Sequence, residues 1–503
     1  MRVLFALALF AFFHDGALAQ EARDTTPAAE ADSEIPEPAV FESEGTLGLD
    51  GTDIEYVARA EETYLRDEAG EPAAAIFSIS YIGKGHDDPT SRPVTFVWNG
   101  GPGSSSVWLH MGAFGPKRVI TPSDASDVGA PPYPVRDNSH SLLDVTDLVF
   151  IDPVGTGYSR ALGDTEASEY YGLREDAESI AEFIRIWLTE NGRWNSPKFL
   201  AGESYGGTRA AQITETLQGG WNGVALNGVI LISPALDFQT IRFTRGNDLA
   251  PVAFFPSFAA TAWYHDRVGR DGWDGDFDAF LEEARRFAMD SYMPALLRGT
   301  NLPAEEQRRL AGEMSEFVGL SPEYLLDQDL RMDTSFFKEL LRDEDLSIGR
   351  FDGRYTGEDD FTIGTYHDND PSGYGMDAAY TAAVNDHLTR TLGVEFDRKY
   401  KILSGEPGQD WKWSYGRGST AFPNPTPHLA KGLRENADMR VLVASGYYDL
   451  ATPFFASELS LYRNGVDLEQ VDFTYYDAGH MMYLAEEEAG NLSEDVRKFI
   501  QGD

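Results

Sequence analysis

The chain has 503 residues, 42% hydrophobic and 12% aromatic, enough to bury a large core and inconsistent with wholesale disorder or a fibrous repeat. Its 83 Asp and Glu against 41 Lys and Arg leave a formal charge of −42, which repels polyphosphate and excludes nucleic acid as a partner. No cysteine is present, so disulfides, thiolate metal sites and a cysteine nucleophile are excluded together.

Met1-Arg2, the apolar run 3–13 and Ala17-Leu18-Ala19 have the charge, apolar stretch and small-residue site of a cleavable export signal, with cleavage expected after Ala19. The run is shorter than the ~20 residues of a membrane span, and no other stretch replaces it. The mature protein is therefore expected to lack a span and to be secreted or periplasmic, in a bacterial setting. Residues 20–44, rich in Ala, Pro, Asp and Glu, read as a flexible acidic leader. Residues 56–65 and 74–82 flank the turn-like Asp67-Glu68-Ala69-Gly70 and predict an antiparallel hairpin at the first sheet edge. Short apolar runs at 94–98, 147–152, 198–201 and 228–233 predict buried parallel strands. Between them, Ile180, Phe183, Ile184, Trp187 and Leu188 recur at helical spacing within 173–189. That alternation gives an α/β fold with a mostly parallel central sheet. It stops after Asp237, where 277–288 and 303–314 read as helical, and resumes with 440–445, 471–476 and a terminal helical pattern over 484–500. One core, 45–237 and 435–503, is thus expected to carry a helix-rich insertion over 238–434.

Gly202-Glu203-Ser204-Tyr205-Gly206 matches G-x-S-x-G, with an apolar strand before it and a helical pattern from Thr208 after it. A nucleophile elbow needs small residues there because the serine occupies a strained turn where side chains would strike adjacent backbone. Gly157-Tyr158-Ser159-Arg160-Ala161 lacks the second Gly, and Gly155-Thr156-Gly157 lacks the third Gly of a dinucleotide fingerprint, so both read as loop. In the α/β-hydrolase order the acid and then the histidine follow the serine. His480, in Ala478-Gly479-His480-Met481, lies between the last strand and the terminal helix; His428, in a Pro-rich stretch, reads as a loop histidine. Asp449 follows the strand 441–445 and is the expected acid, with Asp472 and Asp477 as solvent-facing alternatives. Asn99-Gly100-Gly101-Pro102-Gly103 follows another strand and can offer a backbone N–H which, with that of Tyr205, forms a two-donor oxyanion hole.

Four blocks together resemble the serine carboxypeptidase family, peptidase family S10. They are Val97-Trp98-Asn99-Gly100-Gly101-Pro102-Gly103-Ser104-Ser105, Asp152-Pro153-Val154-Gly155-Thr156-Gly157-Tyr158-Ser159, Gly202-Glu203-Ser204-Tyr205-Gly206-Gly207 and Gly479-His480-Met481. The resemblance implies an α/β-hydrolase fold in which Ser204, Asp449 and His480 form the triad and Gly101 and Tyr205 supply the oxyanion donors. It further implies that Asn99 and Glu203 bind the substrate's C-terminal carboxylate and that the insertion is a cap. The implied activity is removal of C-terminal residues from peptides with a free C-terminus through an acyl-enzyme, without metal or organic cofactor. Two departures stand out. Ser104 occupies the position where the family usually has Cys, so the cap must be held without the usual disulfides. Ala113, before Phe114-Gly115-Pro116, stands where the family often has a Glu of the carboxylate-binding network. That loss favours, as the rival reading, an esterase, acyltransferase or amidase on the same scaffold; a catalytically silent binding protein is the alternative of a different class.

Overall fold

A computed structural model describes residues 35–49, 51–86, 88–219, 223–358, 370–414 and 422–502. The expected export signal, 1–19, and leader residues 20–34 lie outside the described residues.

The strands β1 (Val40–Leu49), β2 (Thr52–Arg66), β3 (Pro72–Gly83), β4 (Val94–Trp98), β5 (Asp147–Asp152), β6 (Lys198–Glu203), β7 (Gly228–Ile232), β8 (Arg440–Gly446) and β9 (Val471–Tyr476) share one sheet. Their order is β1-β2-β3-β5-β4-β6-β7-β8-β9; the short strand Arg160–Ala161 also pairs with β3. The β1–β2, β2–β3 and β3–β5 pairs are antiparallel, and all later pairs are parallel. Period-two alternation sends Phe150, Ile230 and Ile232 to one face and Val149, Ile151, Val229 and Leu231 to the other. Both faces are covered, which is why these strands read as continuous apolar runs.

The main helices are α1 (Leu173–Glu190), α2 (Tyr205–Gln218), α3 (Leu249–Tyr264), α4 (Phe277–Phe287), α5 (Ala304–Val318), α6 (Met376–Asp386), α7 (Thr426–Glu435), α8 (Phe454–Arg463) and α9 (Glu486–Gln501). Residues of α1, α2 and α7 bury one sheet face, and those of α6 and α9 bury the other. Helices α3, α4 and α5 build a separate apolar cluster around Phe255, Phe258, Phe280 and Phe317, into which Leu450, Phe454 and Phe455 project from beyond β8. With no disulfide, this apolar contact and the ion pair between Arg285 and Glu458 (3.1 Å) tie the cap to the core. No helix among the described residues is long and apolar enough to cross a membrane.

Two expected boundaries move. Residues 40–44 belong to β1 rather than to the leader, pairing from Val40↔Glu61 to Leu49↔Thr52, so β1 and not the hairpin forms the sheet edge. Only Leu47 and Leu49 of this strand are buried, which leaves its sequence without a clear apolar alternation. The cap also ends earlier than residue 434. Met376, Ala379, Tyr380, Ala383 and Val384 of α6 pack with sheet residues, and Leu429, Ala430 and Leu433 of α7 pack with α2. Helices α6 and α7 are therefore part of the core.

Candidate active site

The elbow joins β6 directly to α2, and its geometry follows from steric demand. Ser204 has φ 60° and ψ −124°, a conformation stabilised by its N–H donating to Ile232 O (3.0 Å) and its carbonyl accepting from Gly207 N (2.9 Å) and Ala235 N (3.0 Å). A Cβ on Gly202 would lie 2.2 Å from Gly206 O, and one on Gly206 would lie 3.0 Å from Trp98 O and 3.1 Å from Asn99 O. These close approaches explain the small residues of the motif. The loop Asn99–Gly103 lies against the same turn: a Cβ on Gly100 would sit 2.5 Å from Tyr205 N and 2.8 Å from Gly206 N. Arg209, buried on α2, fastens that loop by donating to Asn99 O (2.7 Å) while its Nε donates to Asp176 (2.7 Å).

His480 and Asp449 meet at the same C-terminal end of the parallel strands as the elbow. The ring Nδ1–H donates to Asp449 Oδ2 (2.8 Å), and both residues are buried. Asp449 Oδ1 accepts the backbone N–H groups of Ala451 (2.8 Å) and Thr452 (2.9 Å), and the Thr452 hydroxyl lies 2.8 Å from Oδ2 and 3.0 Å from Nδ1. Burial raises the Asp449 carboxyl, but the charge and hydrogen bond of His480 and the two N–H donors outweigh it and hold the pKa below its ordinary value. Burial likewise pulls the imidazole down, yet Asp449 holds it above 6.5. The histidine loop is fixed from three sides: Ser233 Oγ donates to His480 O (2.8 Å), His480 N donates to Phe351 O (2.6 Å), and Gly479 N donates to Asp352 Oδ2 (3.0 Å). Ser233 follows Ile232, the residue that fixes the Ser204 backbone, so the two halves of the site hang on one strand end.

Glu203, on the other side of Ser204 from Tyr205, is buried. Its Oε2 accepts from Asn99 Nδ2 (3.1 Å) and from the Tyr483 hydroxyl (2.7 Å), and Asn99 Oδ1 accepts Leu109 N (3.0 Å). Desolvation pushes the Glu203 carboxyl up to about 7, with the Asp449 charge adding to the rise and His480, Tyr483 and Asn99 opposing it. Both donors use Oε2; among the described residues Oε1 has no hydrogen-bond partner. Around Ala113, the space beside Gly112 is filled by Tyr380 and Tyr483, whose atoms lie 2.4 and 2.7 Å from where a Gly112 Cβ would be.

The structure therefore brings Asp449 to His480, Asn99 to Glu203, and the 99–103 loop to the N–H of Tyr205. Ser159 is not part of this site: its Oγ donates to Asp152 O (2.6 Å) and accepts Phe77 N (2.7 Å), inside the core. His428 pairs with Glu215, and Asp472 and Asp477 are exposed.

The model of the family described as serine carboxypeptidase matches residues 78–265, which include the elbow and the 99–103 loop. That segment is similar to the serine carboxypeptidase family. Serine carboxypeptidase-like 45 and 46 of Arabidopsis thaliana are 29% and 28% identical over 167 residues, covering 32% of this chain and 33% of each relative. The matched stretch thus spans about a third of the length of these relatives. A crystal structure of Kex1(delta)p, a prohormone-processing carboxypeptidase from Saccharomyces cerevisiae, superposes over 89% of this chain and 92% of its own with a TM-score of 0.54 at 15% identity. This likeness shows the α/β-hydrolase fold. Asp449 and His480 lie outside the matched serine carboxypeptidase segment and enter the site through the fold.

Three contributors escaped the sequence reading. Tyr483 lies three residues beyond His480, where a phenol carries no motif. Thr452 follows Asp449 at the same spacing. Asp352 comes from the cap's last stretch, ion-paired with Arg354 (2.7 Å), and nothing local marks it as a support for Gly479.

Proposed function

We propose that this chain is a serine carboxypeptidase that releases C-terminal residues from peptides. In this reading Ser204 Oγ attacks the scissile carbonyl as His480 Nε2 takes its proton, and the N–H groups of Tyr205 and Gly101 receive the oxyanion. His480 returns the proton to the departing amine, leaving an acyl-Ser204 ester. Water then attacks that ester with His480 again as base, which releases the shortened peptide and regenerates the serine. Asp449 keeps Nδ1 protonated, so that Nε2 is the basic nitrogen.

The observation that carries the exopeptidase reading is the buried Glu203 beside the nucleophile. A carboxyl raised to about 7 keeps its proton in mildly acidic solution, and with Oε2 already accepting two hydrogen bonds, the proton resides on Oε1. Neutral Glu203 then donates to a substrate carboxylate, and the second Asn99 N–H adds another donor. An esterase, acyltransferase or amidase of the same fold has no use for such a pair, although Ala113 leaves this network one acidic group short.

One peptide supplied in free-acid and C-terminally amidated forms, followed by mass spectrometry, tests the reading. Stepwise loss of C-terminal residues from the free acid, with the amide far slower, is expected; equal cleavage of both would overturn it. The export signal supports secretion of the mature chain, expected to begin at Gln20 when its N-terminus is sequenced from a secreting host; an intact Met1 would refute this.

A further inference from the structure

The two neighbours of Ser204 reach into different surroundings. Glu203 meets Asn99 and Tyr483, whereas the Tyr205 ring stands edge-on to Trp411 (centroids 5.3 Å) and Trp413 (5.9 Å). Trp413 in turn packs against Phe238 (5.3 Å), and the Arg242 guanidinium lies over both rings, 4.7 Å from Trp413 and 4.8 Å from Phe238. Arg242 is half-buried, and burial pulls its pKa down. Among the described residues it has no carboxylate partner and its side chain makes no hydrogen bond, although the chain holds 83 acidic residues. The other arginine on this wall differs: Arg209, over the Tyr205 ring at 5.4 Å, is ion-paired with Asp176. A planar guanidinium lying on aromatic faces keeps its N–H edge available for bidentate carboxylate binding.

We propose that Arg242, seated on Phe238 and Trp413, selects an acidic side chain on the residue that donates the scissile carbonyl. The inference rests on the carboxypeptidase reading for its polarity. With the substrate's C-terminus held by Glu203 and Asn99, the acyl residue extends from Ser204 past Tyr205, whose N–H receives the oxyanion and whose ring begins the aromatic wall. An Asp or Glu side chain there meets an unpaired cation. This local attraction offsets the repulsion that a chain of charge −42 exerts on an anionic peptide. A Lys side chain meets like charge. Phe238 and Trp413 hold the guanidinium plane, and neither ring is asked to touch the substrate carboxylate.

The test uses N-acetyl-Ala-X-Leu with X as Glu, Gln or Lys and the intact protein. Wild type is expected to cleave Leu from the Glu peptide with kcat/KM roughly tenfold above the near-isosteric Gln peptide, the scale of one half-buried charge pair, and least well from the Lys peptide. In Arg242→Gln the Glu-to-Gln ratio should fall to about one, and Arg242→Glu should reverse the order in favour of Lys. A structural role would lower all three rates together and leave the ratios standing. Cleavage of all three at equal rates by wild type, or an undiminished Glu preference in Arg242→Gln, would overturn the assignment while leaving the carboxypeptidase reading intact. Cleavage of none would overturn that reading. Calorimetric binding of the same peptides to Ser204→Ala then decides Arg242 separately: tighter binding of Glu than Gln supports it, and equal binding refutes it.

Discussion

Replacing Glu203 by Gln separates ionisation from hydrogen bonding, because the amide keeps an N–H donor at every pH. Burial is the main cause of the rise of Glu203 to about 7. At that value roughly nine in ten molecules carry the neutral acid at pH 6 and roughly one in ten at pH 8. Only the neutral form donates to a substrate carboxylate, so KM for a free-acid peptide should rise about tenfold between those pH values, while KM for the matching methyl ester stays level. In Glu203→Gln the free-acid rise should vanish. The acid limb has a separate origin: His480 is held above 6.5 by Asp449, so the base loses its proton only above its ordinary range, and kcat/KM should fall in acid for both substrates and both proteins. Stability gives an independent reading. The folded-state pKa lies above the ordinary 4.5, so the contribution of Glu203 is fully present below about 4.5 and is lost as pH rises through about 7. Relative to wild type, Glu203→Gln should therefore gain stability from pH 5 to pH 8, by at most about 3 kcal/mol in urea unfolding. Initial rates on the paired acid and ester substrates from pH 5 to 9 are the decisive assay. An alkaline rise in KM that persists in Glu203→Gln would show that Glu203 is not the titrating donor and that it only braces the elbow.

Ser204→Ala should leave the unfolding transition in place and remove nearly all turnover, and a serine-directed phosphonate should label Ser204 alone; labelling at Ser159 would contradict its burial between Asp152 and Phe77. Asp449→Asn should lower kcat by about 10⁴ through the wrong imidazole tautomer, whereas Asp477→Asn, at an exposed position, should be nearly silent; the reverse order in kcat would discard Asp449 as the acid. Tyr483→Phe removes a 2.7 Å hydrogen bond that favours the ionised form of Glu203, so the alkaline rise in KM should move to higher pH, with about 1 kcal/mol lost in stability. A shift to lower pH would reverse the sign of that interaction.

The elbow was legible because its constraint is local. Gly202 is forced by a contact four residues away, where its Cβ would lie 2.2 Å from the Gly206 carbonyl oxygen, whereas Gly206 is pressed by the neighbouring strand, its Cβ meeting Trp98 O at 3.0 Å. The buried strands were legible for a related reason, since a sheet covered on both faces leaves continuous apolar runs whatever covers it. The end of the cap was not legible. The apolar positions of α6 look the same whether they meet cap helices or the sheet, because periodicity records that a face is buried and not what buries it. The strand β1 was hidden because an edge strand with most side chains toward solvent has little apolar pattern to display.

The same distinction explains why the supports of the site escaped notice while its proposed reacting groups did not. Ser204, Asp449 and His480 each lie at a strand end, where the turn chemistry is written in adjacent residues. Tyr483 and Asp352 reach Glu203 and Gly479 through hydrogen bonds across sequence separations of 280 and 127 residues, and Arg242 stands over an aromatic wall that begins at Tyr205. An elbow turn at positive φ has one further consequence for specificity. Because Ser204 occupies the turn itself, its two neighbours enter different elements, Glu203 ending β6 and Tyr205 opening α2, and so face different partners. The residue before the nucleophile is thereby available to read the substrate's terminus and the residue after it to border the acyl side chain. Substitutions at Tyr483 should consequently alter discrimination between free acid and amide, and substitutions at Arg242 discrimination between acyl side chains, with little exchange between the two effects because the groups share no contact.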